Sequence, residues 1–342
     1  MLPLLHWFFL SPSLADLCVV DLNADRQING ADLSILLNAW GSCPAGTTGC
    51  TGDLNNNGAV DGEDLSGLLV AWGPCVTVPS WATLVEATPD PAVVTDVTLR
   101  AAISASGMAW RVRDTATQME MLLLPPGTFT MGCTPSNVFG CDANPNENPT
   151  HSVALTQSFY IGRYEVTQGQ WVAKMGSNPS YFAAQSDSVS RPVERVSWNT
   201  IQGYLSATGM RLPSEAEWEY ACRAGTTTAF SNGSSDDNTV GIIAWYLLNS
   251  GSQTHAVGGK AANALGLYDM AGNVYEWVND WYAEYSSGAQ TNPLGPVFGM
   301  NRVLRGGSWS DDMGGMRSSY RYVYSAPNYT DSQIGFRVAR NP

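Results

Sequence analysis

Two copies of a twelve-residue segment rich in aspartate and asparagine begin 32 positions apart near the amino terminus. In both copies, side chains that carry oxygen stand at positions 1, 3, 5, 9 and 12, and position 7 offers a main-chain carbonyl. This spacing is typical of a loop that binds Ca²⁺, because this ion takes six to eight oxygen ligands. The predicted ligands are Asp21, Asn23, Asp25, Gln27, Asn29 and Asp32 in the first loop, and Asp53, Asn55, Asn57, Ala59, Asp61 and Asp64 in the second.

A short apolar segment follows each loop, over residues 33–41 and 65–73, and ends in the same Ala-Trp-Gly sequence. Its leucines and tryptophan recur at helical spacing, which predicts a short helix that ends at the glycine. Each repeat also has one cysteine before its loop and one after its helix, 25 residues apart. This equal spacing predicts the disulfides Cys18–Cys43 and Cys50–Cys75, but four cysteines allow three pairings, so the connectivity is a hypothesis.

Residues 16–76 resemble a type I dockerin, which is a module of two loop–helix repeats. The resemblance implies an all-α, EF-hand-like module that holds two Ca²⁺ ions and docks onto a partner protein. Dockerins of cellulosomes often use a Ser-Thr pair at loop positions 10 and 11, where this chain has Gly30-Ala31 and Gly62-Glu63. Recognition of a cellulosomal cohesin is therefore not expected, and a calcium-stabilised stalk without a partner is the alternative.

The negative charge of the chain is concentrated in the same region. The 342 residues include 30 acidic and 17 basic side chains, which gives a net charge of −13. Residues 1–80 hold eight of the acids and one base, and six of these acids are predicted calcium ligands. The acidity therefore indicates metal sites, and it argues against nucleic acid as a partner. No apolar run reaches the ~18 residues of a membrane-spanning helix, so no membrane span is predicted.

The first fifteen residues hold an apolar run followed by Ser-Pro-Ser-Leu-Ala, which predicts a secretory signal peptide over residues 1–15. A segment retained in the mature protein is the alternative, because no Lys or Arg precedes the apolar run. Cys133 and Cys141 flank a short loop and are predicted to form the disulfide Cys133–Cys141. Six of the seven cysteines then pair. We therefore expect a bacterial extracellular protein, secreted or held at the cell surface, in an oxidising compartment.

Residues 77–109 contain several prolines and are predicted to form a linker with one short helix. From residue 110 onward, short apolar runs alternate with long loops rich in Gly and Pro, which predicts an irregular α+β domain over 110–342. Ser214 and Glu217 form a capping box at the start of one helix. The predicted elements are strands at 110–113, 119–124 and 128–131 and helices at 95–106, 166–175 and 214–223.

Seven motifs follow one another in this region. They are Pro125–Gly132, Phe159–Thr167, Pro192–Trp198, Arg211–Gly225, Asn263–Trp277, Arg305–Trp309 and Ile334–Val338. Together they resemble the formylglycine-generating enzyme (sulfatase-modifying factor) family. The resemblance implies a variant of the C-type-lectin-like fold, with little regular secondary structure. It also implies at least one structural Ca²⁺, whose ligands are Asp269, Gly272, Val274 and Glu276.

Oxidases of this family convert a substrate cysteine to formylglycine with copper(I) held by two thiolates, which lie between the Gly-Gly-Ser and Gly-Phe-Arg motifs. This chain has no cysteine from Gly306 to Phe336, and the two thiol positions fall on Asp311 and near Ser319. Carboxylate and hydroxyl oxygens are hard ligands that do not replace thiolates for copper(I). We therefore expect no copper and identify no catalytic residue. The leftover Cys222 is predicted to be a buried, unreactive thiol.

The stretch from Ser310 to Gln333 is rich in Tyr, Ser, Asp, Asn and Gly, a composition typical of adaptable binding surfaces. Similar domains serve as the variable proteins of diversity-generating retroelements, with ligand-facing residues in this stretch. The leading hypothesis is a non-catalytic binding or scaffold module for a protein or glycan. The alternatives are an enzyme with a different, non-copper chemistry and a surface-anchored structural protein. The predicted ligand-contacting residues are Asp311, Asp312, Tyr320, Tyr322, Tyr324 and Tyr329.

Overall fold

A computed structural model describes residues 19–44, 49–133 and 145–342, apart from the side chains of Asp237 and Tyr324. The predicted signal peptide at residues 1–15, Cys18 and Cys141 lie outside the described residues. The chain forms two units. One holds the described residues up to Thr88 together with Gly107–Val112, and the other holds Pro89–Ser106 and Arg113–Pro342.

The first unit contains the two loop–helix repeats. Asn29 and Asp61 cap the two helices, and the aspartate at loop position 12 closes the capping box by accepting the N–H of the cap residue. The residues at loop positions 9 and 12 are therefore both predicted calcium ligands and the residues that cap the following helix. The elements are β1 (Gln27–Ile28), α1 (Gly30–Asn38), β2 (Gly41–Ser42), β3 (Ala59–Val60), α2 (Gly62–Val70), β4 (Gly73–Pro74) and β5 (Ala82–Glu86), with β6 (Arg111–Asp114) where the chain passes into the second unit.

The repeats of the first unit are joined crosswise. Strand β2, after the first helix, pairs with β3 in the second loop, and β4 pairs with β1 in the first loop. The dockerin resemblance implies an all-α unit. These two strand pairs show that the unit also contains short β-strands. Its core is made of one apolar residue from each loop and one from each helix, namely Ile28, Leu36, Val60 and Leu68.

This crossing changes the disulfide pairing. Cys43 follows β2 and lies beside the second loop, where it is bonded to Cys50 with the two Cα atoms 5.6 Å apart. The predicted pairs Cys18–Cys43 and Cys50–Cys75 are therefore wrong. Cys75 is also disulfide-bonded, and it follows β4 beside the first loop. Equal spacing along the sequence is misleading here because each repeat ends against the loop of the other repeat.

The second unit combines helices and strands, which confirms the α+β class. The segment 77–109, predicted to be a linker, contributes β5 to the first unit and α3 to the second. None of the described helices is long and apolar enough to cross a membrane. The elements are α3 (Val97–Ala105), β7 (Glu120–Leu124), β8 (Gly127–Met131), β9 (His151–Leu155), β10 (Phe159–Gly162), α4 (Gln168–Met175), α5 (Trp198–Thr208), α6 (Glu215–Arg223), α7 (Val240–Ile243), β11 (Tyr275–Trp281), β12 (Gln290–Thr291), β13 (Arg302–Arg305), β14 (Tyr322–Ser325), β15 (Ile334–Gly335) and β16 (Ala339–Arg340).

The strands of the second unit are arranged in three groups. Strand β10 lies between β7 and β16 and is antiparallel to both. Strand β9 lies between β8, which is antiparallel to it, and β12, which is parallel. The third group has the order β14-β13-β11-β15, with β11 antiparallel to β13 and parallel to β15. Strand β11 is therefore one of the two central strands of this group, and its first residues are the end of the Asn263–Trp277 motif.

Buried ion pairs connect the long loops of this unit to its helices and strands. Each pair joins an arginine and a carboxylate whose side chains are at most 6 % exposed. Breaking such a pair is costly, because the remaining charge stays buried without a partner. The pairs are Glu147–Arg317, Glu215–Arg321, Glu219–Arg305 and Glu276–Arg337.

Replacing Arg337 with Met should destabilise the second unit by about 3–5 kcal/mol, because the Glu276 carboxylate then remains buried without its guanidinium. Urea denaturation followed by tryptophan fluorescence measures this loss. Arg113→Met is the control, since Arg113 is 44 % exposed in its pair with Glu120 and should cost about 0–1 kcal/mol. Equal losses in the two variants would contradict the role assigned to Arg337.

Candidate functional site

The loop after β13 carries the first of the two positions where the resemblance expects a thiol. Gly307 lets the chain turn back, since its φ is +72° and a Cβ there would lie 2.8 Å from the Gly315 carbonyl oxygen. Asp311 follows this turn, and both of its carboxylate oxygens accept hydrogen bonds. The Tyr275 hydroxyl donates to Oδ1 at 2.9 Å, and the Ser308 hydroxyl donates to Oδ2.

Burial raises the pKa of Asp311 above its usual range, although the hydrogen bonds from Ser308 and Tyr275 act in the opposite direction. Ser308 Oγ also lies 3.0 Å from Oε1 of Gln333, so the motif before the loop contacts the last residue of the loop beside this carboxylate. Asp311 is therefore a fixed, partly desolvated acid at the base of the loop.

Ser319, at the second of these positions, lies in different surroundings. Its side chain is fully buried, and its hydroxyl donates to Glu147 Oε2 at 2.6 Å. Arg317 binds the same carboxylate through both of its terminal nitrogens, at 2.6 and 2.7 Å. Asp311 and Ser319 are thus engaged with different partners, and Ser319 belongs to a buried ion pair.

Copper(I) does not fit this donor set. Asp311 and Ser319 offer only hard oxygen atoms, and both are already hydrogen-bonded. Cys222 is the free cysteine among the described residues, and it is buried, as predicted. Its Sγ lies 3.7 Å from the Met270 carbonyl oxygen, and burial raises the pKa of the thiol to about 11. A thiol that is protonated and screened from solvent is a poor ligand for copper(I).

The predicted tyrosines divide into a partly buried and an exposed group. Tyr320 and Tyr322 are partly buried, and the ring of Tyr322 lies 5.4 Å from that of Tyr275. Tyr329 is 46 % exposed, and its hydroxyl donates to Asp331 at 3.2 Å. The rings beside Asp311 therefore have restricted freedom, whereas Tyr329 is available to a ligand.

Two further predicted residues have distinct positions. Asp312 is exposed, and its Oδ1 accepts the N–H of Gly314 at 2.9 Å, so it caps the short 3₁₀ helix Met313–Met316. Tyr324 lies on β14, and its side chain is outside the described part of the chain.

Two other loops contribute residues that the sequence analysis missed. Phe182 packs against Trp309 with ring centroids 5.7 Å apart, and Tyr181 beside it is largely exposed. The Glu194 carboxylate fixes this pair by accepting both main-chain N–H groups at 2.9 Å. Leu247 donates its main-chain N–H to the Asp311 carbonyl at 3.0 Å, and the side chains of Leu247 and Leu248 are exposed. The first of these loops could have been recognised in the sequence from the segment Asn-Pro-Ser-Tyr-Phe at residues 178–182, where two aromatic residues follow turn-forming ones.

The predicted calcium ligands of the second unit lie on a tight turn that leads into β11. Asp269 is buried, its Oδ2 accepts the N–H of Gly258 at 2.7 Å, and burial raises its pKa to about 6. Gly272 and Val274 lie on the turn, whereas Glu276 accepts hydrogen bonds from Arg337 and from the indole of Trp218. The Glu276 carboxylate is therefore already held by protein donors.

Glu165 is an acid of this region that the sequence analysis missed. It is buried, and its carboxylate accepts the Asn273 amide at 2.7 Å and the Val274 N–H at 3.1 Å. Burial raises its pKa well above the usual range, and the charges of Asp269 and Glu276 act in the same direction. Three carboxylates thus share one guanidinium, Arg337, and a cation beside Asp269 would reduce their repulsion.

The two loops of the first unit have the same hydrogen-bond pattern. The aspartate at position 1, Asp21 or Asp53, accepts the N–H groups of positions 5 and 6. The aspartate at position 12, Asp32 or Asp64, accepts those of positions 2 and 9. In the first loop, oxygens of the position 1, 5 and 12 carboxylates lie within 4.8 Å of one another. The carboxylates at positions 1 and 12 of both loops are therefore turned towards the loop backbone, and in the first loop that of position 5 lies beside them. A cluster of carboxylate oxygens is the kind of ligand set that Ca²⁺ takes.

A family model described as a sulfatase-modifying factor enzyme 1-like domain matches residues 109–342. The chain belongs to this family. The formylglycine-generating enzyme of Streptomyces coelicolor is 29% identical over 308 residues, which cover 70% of this chain and 94% of that protein. The serine/threonine-protein kinase pkn1 of Chlamydia caviae is 33% identical over 248 residues, or 65% of this chain, and the match spans 38% of the kinase.

Among solved structures, the chain is similar to Treponema denticola variable protein 1. The TM-score is 0.58 at 30% sequence identity, and the match covers 66% of this chain and 95% of that one. Proteins whose names describe a formylglycine-generating enzyme, a kinase and a variable protein are thus all similar to this chain. Membership of the family therefore establishes the fold, and the function has to be argued from the site.

Replacing Asp311 with Asn should stabilise the protein more at pH 7 than at pH 4, relative to the unchanged chain. Because the folded-state pKa of Asp311 is raised, its ionisation favours the unfolded chain, and this penalty grows as pH rises through that pKa. Urea denaturation at the two pH values measures the difference. The exposed Asp312→Asn is the matched control, and a larger gain at pH 4 than at pH 7 would contradict the assignment.

Proposed function

We propose that the sulfatase-modifying factor domain of this protein is a non-catalytic binding or scaffold module that recognises a protein or a glycan. The observation that carries the proposal is that both positions expected to hold a thiol carry an oxygen side chain instead. Each of these side chains is hydrogen-bonded to other residues of the protein. Asp311 is bonded to Tyr275 and Ser308, and Ser319 is bonded to Glu147. Copper-dependent oxidation of a cysteine therefore lacks its metal ligands in this chain.

The proposed ligand surface extends from the loop at Asp311 to the two neighbouring loops. Tyr181, Leu248 and Tyr329 expose large side chains there, while Phe182 and Trp309 provide packed aromatic support. Rigid aromatic rings combined with short polar groups suit recognition of a macromolecule. Similarity to a protein named as a variable protein supports the same interpretation.

An enzyme with a different, non-copper chemistry is the alternative. The raised pKa of Asp311 favours it, because a perturbed carboxyl at a family active site is a candidate acid or base. However, both Asp311 oxygens are held by Tyr275 and Ser308. The clefts of about 540 and 290 Å³ in the second unit are lined by other residues. A binding role is therefore the better-supported proposal.

For the first unit, we propose two Ca²⁺ sites and a docking role. The gathered carboxylates of Asp21, Asp25 and Asp32 support metal binding. The two repeats expose the same positions to about half their area, Leu37 with Leu69 and Trp40 with Trp72, and such apolar side chains fit a protein partner. In the second unit, Ca²⁺ beside Asp269 is supported by the excess of buried carboxylates there.

Secretion or attachment at the cell surface remains part of the proposal. The disulfide Cys43–Cys50 and the bonded state of Cys75 and Cys133 support an oxidising compartment. A surface-anchored assembly protein, attached through the first unit, is the third possibility, and calcium-dependent self-association without a ligand would favour it.

Binding by the proposed surface can be tested on a glycan array and with cell-surface protein extract. Tyr181→Ala and Tyr329→Ala should each lower the affinity for a captured ligand at least tenfold, since exposed aromatic side chains dominate such contacts. Val189→Ala, an exposed apolar change on another loop, is the control and should leave affinity unchanged. Copper-dependent oxidation of a sulfatase-type cysteine peptide by the purified protein would contradict the proposal.

Calcium titration by calorimetry should detect two sites in the first unit, and Asp53→Ala should remove one of them. EDTA should increase amide hydrogen exchange in the first unit more than in the second, because six loop carboxylates lose their counter-ions there. Glu63→Ala is the control, since Glu63 stands at loop position 11 and is not a predicted ligand. Identical exchange with and without EDTA would contradict calcium binding.

A further inference from the structure

The smaller cleft of the second unit lies at Asp280, which is on β11 five residues after Tyr275. It has a volume of about 290 Å³ and is lined by acids, aromatic rings and the start of an apolar loop. Asp280 is only 4 % exposed, and its Oδ2 accepts the N–H of Glu215 at 2.8 Å. Within the described part of the chain it forms no ion pair, and it is a carboxylate that lines an open cleft.

The carboxyl groups that line this cleft, Glu215, Asp280 and Glu284, outnumber its arginine, Arg321. Glu215 is bound by Arg321 through two hydrogen bonds, at 2.5 and 2.8 Å, and Arg305 lies 3.6 Å from it, so its charge is compensated. Glu284 is exposed and adds a carboxylate to the cleft. His151 packs edge-on against Tyr285 with ring centroids 4.7 Å apart, which gives the cleft an aromatic wall. Charge complementarity therefore favours a cationic group.

One side of the cleft is formed by residues 293–296, which begin the loop 293–300 that we name the apolar lip. Leu294 is 64 % exposed, Val297 94 %, Phe298 84 % and Met300 88 %. A surface with this many neighbouring exposed apolar side chains is typical of a site for a partner. It offers aliphatic and aromatic area with few hydrogen-bonding groups, which suits apolar side chains of a polypeptide better than a sugar.

The lip is fixed against the strand beside the cleft. A Cβ at Gly299 would lie 2.9 Å from Trp281 Cβ, and one at Gly295 would lie 3.3 Å from Asp280 Oδ1. These two glycines let the loop backbone pack directly on β11. The lip and the carboxylate are therefore held side by side, and its exposed side chains are not the result of a loosely packed loop.

We propose that this cleft and the apolar lip form a second docking site, which binds a polypeptide segment of a partner protein. A Lys or Arg side chain of the segment enters the cleft and pairs with Asp280, and neighbouring apolar side chains cover Leu294 and Phe298. The site is separate from the surface at Asp311, so it does not depend on the function proposed above.

The titration of Asp280 supports this assignment. Burial, together with the charges of Glu215 and Glu217 on α6, raises its pKa to about 8, while Arg321 acts in the opposite direction. Arg302 on β13, which stacks between two tryptophans, also interacts with this carboxyl. A cation that enters the cleft displaces the proton of Asp280, so binding should strengthen as pH rises towards 8 and beyond.

The test is selection of random heptapeptides displayed on phage against the full chain at pH 8.5. The enriched peptides should carry Lys or Arg next to an apolar residue, and a synthetic copy should bind at least tenfold more weakly to Asp280→Asn. The rise in affinity between pH 6.5 and 8.5 should largely disappear in that variant, because it lacks the carboxyl group of Asp280. Leu294→Ser should weaken binding, whereas Ile242→Ser, which changes a similarly exposed aliphatic side chain on α7, should not.

Several results would overturn the proposal. Enrichment of peptides without a cation would do so, as would equal affinity for the unchanged chain, Asp280→Asn and Leu294→Ser. A dimer in sedimentation that Phe298→Ser converts to a monomer would assign the lip to a second copy of this chain. Glycan binding that Leu294→Ser abolishes would assign it to a sugar. Because Leu294 is exposed, its variant tests the site even where Asp280→Asn fails to fold.

Discussion

Buried pairing of arginine with carboxylate is the interaction on which the second unit depends. Arg305 is fully buried, binds Glu219 on α6 and donates to the carbonyls of Ser318, Ser319 and Tyr320. One guanidinium therefore fixes a helix and an irregular loop at the same time. Because long loops have few hydrogen bonds of their own, such fixed donors replace the regular hydrogen bonding of a sheet.

This arrangement also limits what the loop can do chemically. Arg317 and Arg321 are both committed to buried ion pairs, and Ser319 between them shares the carboxylate of Glu147 with Arg317. A metal at this position would have to displace a charged hydrogen-bond network. Asp311, in contrast, lies outside these ion pairs and is hydrogen-bonded to Tyr275 and Ser308. The fold of the family is thus retained, and Ser319 is part of its buried hydrogen-bond network.

The sequence could predict elements whose signals are local. The capping box of Ser214 and Glu217 located α6 to within one residue, and the run Met121–Leu124 located a strand buried on both faces. Helix α5 was missed because Gly203 and its β-branched residues lower its propensity, and burial of Tyr204 and Leu205 stabilises it instead. The disulfides and the residues at Tyr181 and Leu248 depend on which loops meet, and no local pattern records that.

Each of the two units gathers carboxyl groups whose negative charges need compensation. In the first unit, Asp25 is exposed, whereas Asp32, Asp53 and Asp64 are buried and accept main-chain N–H groups. In the second, Glu165, Asp269 and Glu276 are buried around one arginine, so two of the three carboxyl groups form no ion pair among the described residues. Such a group must either bind a proton or bind a cation, because an isolated buried charge costs far more than either. Burial accordingly raises the pKa of Asp269 to about 6. In the proposed Ca²⁺ site the ion would compete with the proton for this carboxylate, so occupation of the site would depend on pH.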